Sequence, residues 1–177
     1  WRMLALGTIA FCVLMGEGAV ADWSAVFLRQ DVGAGAALAG AGFAAFSLAM
    51  AGGRLVGDVL NARLGAVALL RLGGAVAGAG MALALVPDGA ALSILGFGLV
   101  GAGLSTLFPT VIGAAGRMRD APTGTVIATI TALGYFGFLA GPPLIGLVAD
   151  VAGLRAALGV VVALALLVVA VAGSARD

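Results

Sequence analysis

The sequence predicts an all-α membrane protein with six transmembrane helices arranged as an inverted 3+3 repeat. Three observations carry that prediction. Hydrophobic residues make up 63% of the 177 and charged residues 10%, with a mean hydropathy of +1.22; a soluble domain needs roughly 25% charge to cover its water-facing surface. Long apolar runs alternate with short polar stretches, and most runs exceed the roughly 20 residues that cross about 30 Å of hydrocarbon. A short pattern also recurs three spans apart. Residues 1–177 therefore read as one six-helix bundle with repeat units at about 1–88 and 89–177.

In chain order, the first span is Met3 to Leu28 and carries Glu17 and Asp22. The second is Gly35 to Val59, uncharged from Val32 to Gly53. The stretch Gly53 to Gly65, GRLVGDVLNARLG, places two arginines and an aspartate between apolar runs and reads as a connecting loop. Next come Leu64 to Val86 with only Arg71 charged, Gly89 to Gly116 with Pro109, Pro122 to Ala149 with Pro142 and Pro143, and Ala156 to Ala175. Links are short, so neighbouring helices should run antiparallel. Apolar residues fall on every face, as suits lipid rather than water. Because the chain starts at Trp1 rather than Met, it reads as a fragment of something longer, cut just before a helix.

Arginine placement predicts orientation. With the first residue in the cytoplasm, Arg2, Arg54, Arg63, Arg117, Arg119 and Arg176 lie at inner ends, against Arg29 and Arg155 outside. Arg71 can snorkel to the inner side, Asp31, Asp88 and Asp150 fall in outer loops, and both termini are expected inside.

Composition also excludes chemistry. There is no histidine and one cysteine, Cys12, inside an apolar run. Histidine-ligated haem, HExxH zinc sites and histidine-activated nucleophiles lack their parts, so neither a metal, a cofactor nor an enzyme activity is expected. Cys12 reads as packing. Nine arginines without lysine, at a net charge of +1, give no basic patch for nucleic acid.

Leu55-Val56-Gly57-Asp58-Val59 recurs as Leu147-Val148-Ala149-Asp150-Val151, each followed by an arginine five residues after its aspartate. The interval is three spans, an odd number, so the second copy is turned over in the bilayer. The same shift sets the glycine-flanked Glu17 against Pro109, and matched helix interruptions in inverted units point to a transporter's binding region.

Glu17 is the sharpest candidate for substrate contact or proton coupling. An ionised acid deep in a span costs about 2.5 to 3.5 kcal/mol, unless it faces a cavity, finds a partner or binds a proton; its structural reading is a hydrogen bond to a neighbouring helix. Asp22 is the second candidate for substrate contact or proton coupling, but it lies about 140° round the helix beside Trp23 and better suits interfacial anchoring. Arg54 and Asp58 are four apart and can pair along one face, with Arg63 also within reach, forming either a charge-pair gate or plain inner-side flanking. Gly74 with Gly78 and Gly137 with Gly141 permit close helix approach. Pro142 and Pro143 remove two amide donors from a span and predict a kink.

These residues resemble the C-terminal six-helix half of the major facilitator superfamily. The likeness runs through GEGAVADWSAVFLR in the first span, GRLVGDVLNARLG, the proline of the fourth span and GFLAGPPLIGLVAD in the fifth. It is nearest a bacterial branch described as sugar-permease-like or drug-efflux-like. Of the family's loop motif G-x-x-x-D-R-x-G-R-R, Arg63 and Gly65 match the basic and glycine positions. Ala62 replaces the acid, Ala66 and Val67 replace the closing basic pair, and Asp58 stands at the leading glycine. Gly137, Gly141, Pro142 and Gly146 resemble the family's glycine-proline motif.

The resemblance implies half of a twelve-helix transporter in a bacterial inner membrane. A small-molecule substrate would bind against a missing N-terminal six-helix half, and Arg54, Gly57, Asp58, Arg63 and Gly65 would form a cytoplasmic gate. A channel-like or structural membrane subunit is the alternative.

Overall fold

A computed structural model of the chain describes residues 1–86, 89–119 and 122–176. These form seven α-helices: α1 Arg2–Gln30, α2 Ala36–Leu64, α3 Ala66–Ala84, α4 Ala90–Leu104, α5 Leu107–Gly116, α6 Thr123–Ala152 and α7 Leu154–Val171. A 3-10 turn, Ala172–Ala175, follows. The helices α4 and α5 are two pieces of one span, so six segments are long and apolar enough to cross a bilayer. Leu48, Leu55, Leu139 and Leu166 are among the many large apolar side chains left exposed around the bundle, as a lipid-facing surface requires.

Gly53–Gly65 is not the loop its composition suggests. It is helical through Leu64, so the second span runs beyond Val59 and the chain reverses at Gly65 alone. Arg54, Asp58 and Arg63 all lie on exposed positions of the helix, and Ala, Leu and Arg between them are good helix formers. The charges therefore decorate a helix without ending it. What ends it is Gly65 at φ +76°, a left-handed conformation that a Cβ would strain. The sixth span is entered the same way, through Gly153 at φ +82°. Asp150 and Arg155 consequently sit in the last turn of α6 and the first turn of α7 rather than in a loop. Asp31 caps the end of α1, and Asp88 lies outside the described residues.

The three-helix repeat is visible in the element order, but in a different register. Helices α1, α2 and α3 start at Arg2, Ala36 and Ala66, and α4, α6 and α7 start 88, 87 and 88 residues later. The LVGDV and LVADV copies are thus one helical turn out of step: Asp58 precedes its reversing glycine by seven residues and Asp150 by three. In so apolar a chain the sequence match is coincidental. The structural register sets Gly53–Asp58 against Gly141–Gly146, and Glu17 against Ser105.

The core is built round α1, whose most apolar stretch is 72% buried against 22% for α2 and for α6. Cys12 is part of this core. Each unit lends a helix to the other, α6 lying along α1 and α2 along α4. Glycines make these contacts possible. A Cβ on Gly137 would stand 2.5 Å from the Phe11 carbonyl oxygen, one on Gly141 3.0 Å from that of Met15, and one on Gly18 2.9 Å from that of Phe138. Gly73 with Gly103 and Gly80 with Gly96 bring α3 and α4 together in the same way, while Gly74 and Gly78 face Ala165 of α7. Such close approach replaces the hydrophobic driving force that is absent between helices in lipid.

Candidate functional site

Glu17 lies mid-way along α1 between two buried glycines, and its side chain is only 14% exposed. Gly18 lets α6 approach it from one side. From the other, Arg54 of α2 reaches across, placing Nη2 3.5 Å from Oε1 of Glu17. The two form an ion pair, yet Oε1 accepts no hydrogen bond although it is buried. Buried polar atoms are nearly always hydrogen-bonded, so this oxygen has an acceptor position open to a proton or to another donor.

The pair forms one edge of a cavity of about 330 Å³ whose walls include Phe43, Phe46, Met50 and Phe138. An ionic edge on an aromatic wall suits a small solute with an apolar body and one polar group.

Arg54 was expected to pair with Asp58 along α2; instead its carboxylate partner is Glu17. The physical reason is burial. An enclosed carboxylate without a counter-charge is costly, whereas Asp58 is exposed and gains little from an ion pair in water. Asp58 instead lines a second cavity of about 180 Å³ with Arg54, Gly57 and Asn61 of α2 facing Ser105, Thr106, Pro109 and Thr110. Arg54 borders both cavities.

This second cavity lies where the fourth span breaks. A proline inside a helix clashes with the carbonyl four residues earlier, which for Pro109 is that of Ser105. The helix accordingly stops at Leu104 and restarts at Leu107, with Ser105 and Thr106 between. The Ser105 hydroxyl donates to the Ala102 carbonyl and that of Thr110 to the Thr106 carbonyl, each at 2.7 Å, satisfying acceptors near the break. Glycines again permit the approach: a Cβ on Gly53 would overlap Ser105, and one on Gly57 would stand 3.1 Å from Thr106.

Through Pro142 and Pro143, α6 continues as one helix and does not break as the fourth span does before Pro109. Trp23, expected only as an interfacial anchor, donates its indole N–H to the Pro142 carbonyl at 3.1 Å. Gly146 lies against the same ring, where a Cβ would stand 3.2 Å from it.

The structure thus joins Glu17, Arg54, Gly57, Asp58 and Pro109 round two adjoining cavities. Asp22 is exposed and lies outside both, as do Arg63 and Gly65. Sequence reasoning missed Ser105 and Thr106, which the rule that a proline strains the fourth residue before it would have found, and it missed Phe43 and Phe46, for which no sequence signal exists. Among the described residues no three His, Cys, Asp or Glu side chains lie together where they could hold a metal ion.

The fold is that of one six-helix half of a major facilitator transporter. The fucose:proton symporter of E. coli superposes on the whole chain with a TM-score of 0.87 at 17% identity, the chain covering 43% of it. An auto-inhibited peptide transporter of the POT family superposes at 0.84 with 21% identity, covering 99% of this chain and 37% of that one. In sequence, the chain is 42% identical over 99% of its length to an uncharacterized MFS-type transporter of Yersinia pestis, of which it covers 45%. It is also 33% identical over 94% of its length to the membrane protein MosC of Rhizobium meliloti, covering 41%. No family model matches the chain. By relatives and by fold alike it is a six-helix integral-membrane unit of the major facilitator type, spanning less than half the length of the relatives it matches.

Proposed function

We propose that the chain forms the C-terminal half of a secondary active transporter, which moves a small solute by alternating access against an N-terminal six-helix half. The observation that supports this best is the Glu17–Arg54 pair at the edge of an aromatic-walled cavity. Its unfilled acceptor oxygen gives a coupling proton or a substrate donor somewhere to bind. Protonating Glu17 removes the charge that holds Arg54, and Arg54 also borders the cavity of Asp58, four residues further along its own helix. The guanidinium can then turn towards the break in the fourth span. In this reading Arg54, Gly57 and Asp58 form a gate, with Arg63 and Gly65 at its inner margin. Asp22 stays an anchor at the interface. Pro109, Gly137, Gly141, Pro142, Pro143 and Gly146 shape the helices that move.

The orientation follows from charge. Arg71, Arg117 and Arg176 border one cavity with Gly65, while Arg29 and Arg155 sit at the opposite ends of their helices. This charge asymmetry supports an orientation with both termini on the cytoplasmic side of a bacterial inner membrane.

The test uses the full-length parent protein in proteoliposomes, with the solute found by screening wild-type vesicles under an imposed pH gradient. Glu17→Gln should abolish gradient-driven uptake, by at least about a hundredfold if the residue couples transport, at unchanged expression and elution. Uptake that persists with its pH dependence intact removes Glu17 from the mechanism. Uptake of any small ion at channel-like rates, with no response to the gradient, would favour a pore instead.

A further inference from the structure

A cavity of about 630 Å³ lies apart from the proposed transport site. It lies where the α2–α3 reversal, the end of α5 and the turn after α7 meet, and three arginines border it: Arg71 of α3, Arg117 at the end of α5 and Arg176 after the final turn. The three come from different parts of the chain, and no described carboxylate lines the cavity with them. Arg117 also donates to the Gly113 carbonyl at 3.1 Å, so part of its donor set is used. Arg71 and Arg176 are exposed.

The cavity floor adds donors of its own. Gly65, Ala66, Val67 and Ala68, the cap and first turn of the 19-residue α3, line it, and no side chain caps that helix. The first amides of a helix have no partner within it, and the helix dipole adds partial positive charge there. Guanidinium forks and free backbone amides are the donor set that recognises phosphate oxygens. The remaining lining residues, Leu64, Leu72 and Ala175, are apolar, and the two leucines are exposed.

We infer that this cavity binds a phosphate group, and that the group belongs to the headgroup of an anionic phospholipid whose acyl chains continue along the exposed leucines. A free phosphate ion would use the same donors but would gain nothing from those apolar walls. The orientation proposed above matters only for which leaflet supplies the lipid: arginines at the cytoplasmic end meet the leaflet where anionic lipids are concentrated.

The experiment is native mass spectrometry of the full chain in detergent, with phosphatidylglycerol or phosphatidylcholine added, and in parallel calorimetric titration of lipid-free micelles with inorganic phosphate. Phosphatidylglycerol should be retained in preference to phosphatidylcholine. The double substitution Arg71→Gln with Arg176→Gln should reduce its retention by at least about tenfold, Arg71→Lys with Arg176→Lys should restore most of it, and Arg29→Gln at the other end should change nothing. Inorganic phosphate bound as tightly as the lipid, and lost in the same double variant, would assign the site to a soluble ion and overturn the lipid source. Equal retention of the two lipids, or retention unaltered by the double substitution, together with no phosphate binding, would overturn the site altogether. Because this readout involves no transport, it stands or falls separately from the role of Glu17.

Discussion

Two stretches occupy the same place in the two three-helix units and have become opposites. In α2, Gly53–Asp58 reads GRLVGD and lies along the break in the fourth span; in α6, Gly141–Gly146 reads GPPLIG and lies along α1. Both begin with a glycine that lets another helix come close. The α2 copy then presents an arginine and an aspartate to cavities, while the α6 copy presents two prolines and a carbonyl bound by Trp23. One scaffold position thus serves an ionic purpose in one unit and a packing purpose in the other. The lesson is that in an inverted repeat the backbone contact is common to both units, and the side chains outside that contact are free to diverge.

The contrast is sharpest at the glycines. Gly137→Ala sets a methyl group against the backbone oxygen of Phe11, which cannot move without shifting α1. It should destabilise the protein by about 1 to 3 kcal/mol, read as a lower unfolding midpoint in detergent. Gly53→Ala collides chiefly with the side chain of Ser105, so adding Ser105→Gly should rescue most of its smaller loss. No second-site glycine is available to rescue Gly137→Ala. Equal and equally rescuable effects would show that the two contacts are not of different kinds.

A smaller effect is expected at Asp58. It is exposed beside Arg54, so Asp58→Asn should leave the unfolding midpoint unchanged and shift the balance of inward and outward states by up to about fivefold, within the range of an exposed charge pair. Cysteine-accessibility labelling of the full-length protein reads this directly, and an unchanged labelling pattern would remove Asp58 from the gate. The smallest effect belongs to the packing copy. Trp23→Phe keeps the ring but loses the hydrogen bond to the Pro142 carbonyl, an expected loss of about 0.5 to 1.5 kcal/mol in stability with no change in charge-dependent behaviour.

The spans were legible because hydrocarbon demands long apolar runs and the chain supplies six. The break in the fourth span was legible from Pro109, although the sequence marks the proline and the structure places the gap at Ser105 and Thr106. Helix ends were less so. Arg54, Asp58 and Arg63 look like loop residues in a one-dimensional reading, because nothing in the sequence says that one face of α2 is open. Glu17 was visible as a misplaced charge, but not its partner. Which arginine answers it depends on how α1 and α2 are rotated against each other, and that rotation is fixed by glycine contacts made with α4 and α6, far away in sequence. The 92-residue register failed for a related reason: the alphabet of a membrane span is so small that four matches in five positions carry little information.

The reversals at Gly65 and Gly153 leave the helices they join no slack. With one residue between α2 and α3, and one between α6 and α7, the depth at which one helix of a pair ends fixes the depth at which the next begins. A shift of either helix along its axis is therefore passed directly to its neighbour. A few residues added at Gly65 or Gly153 would let the two depths be set separately.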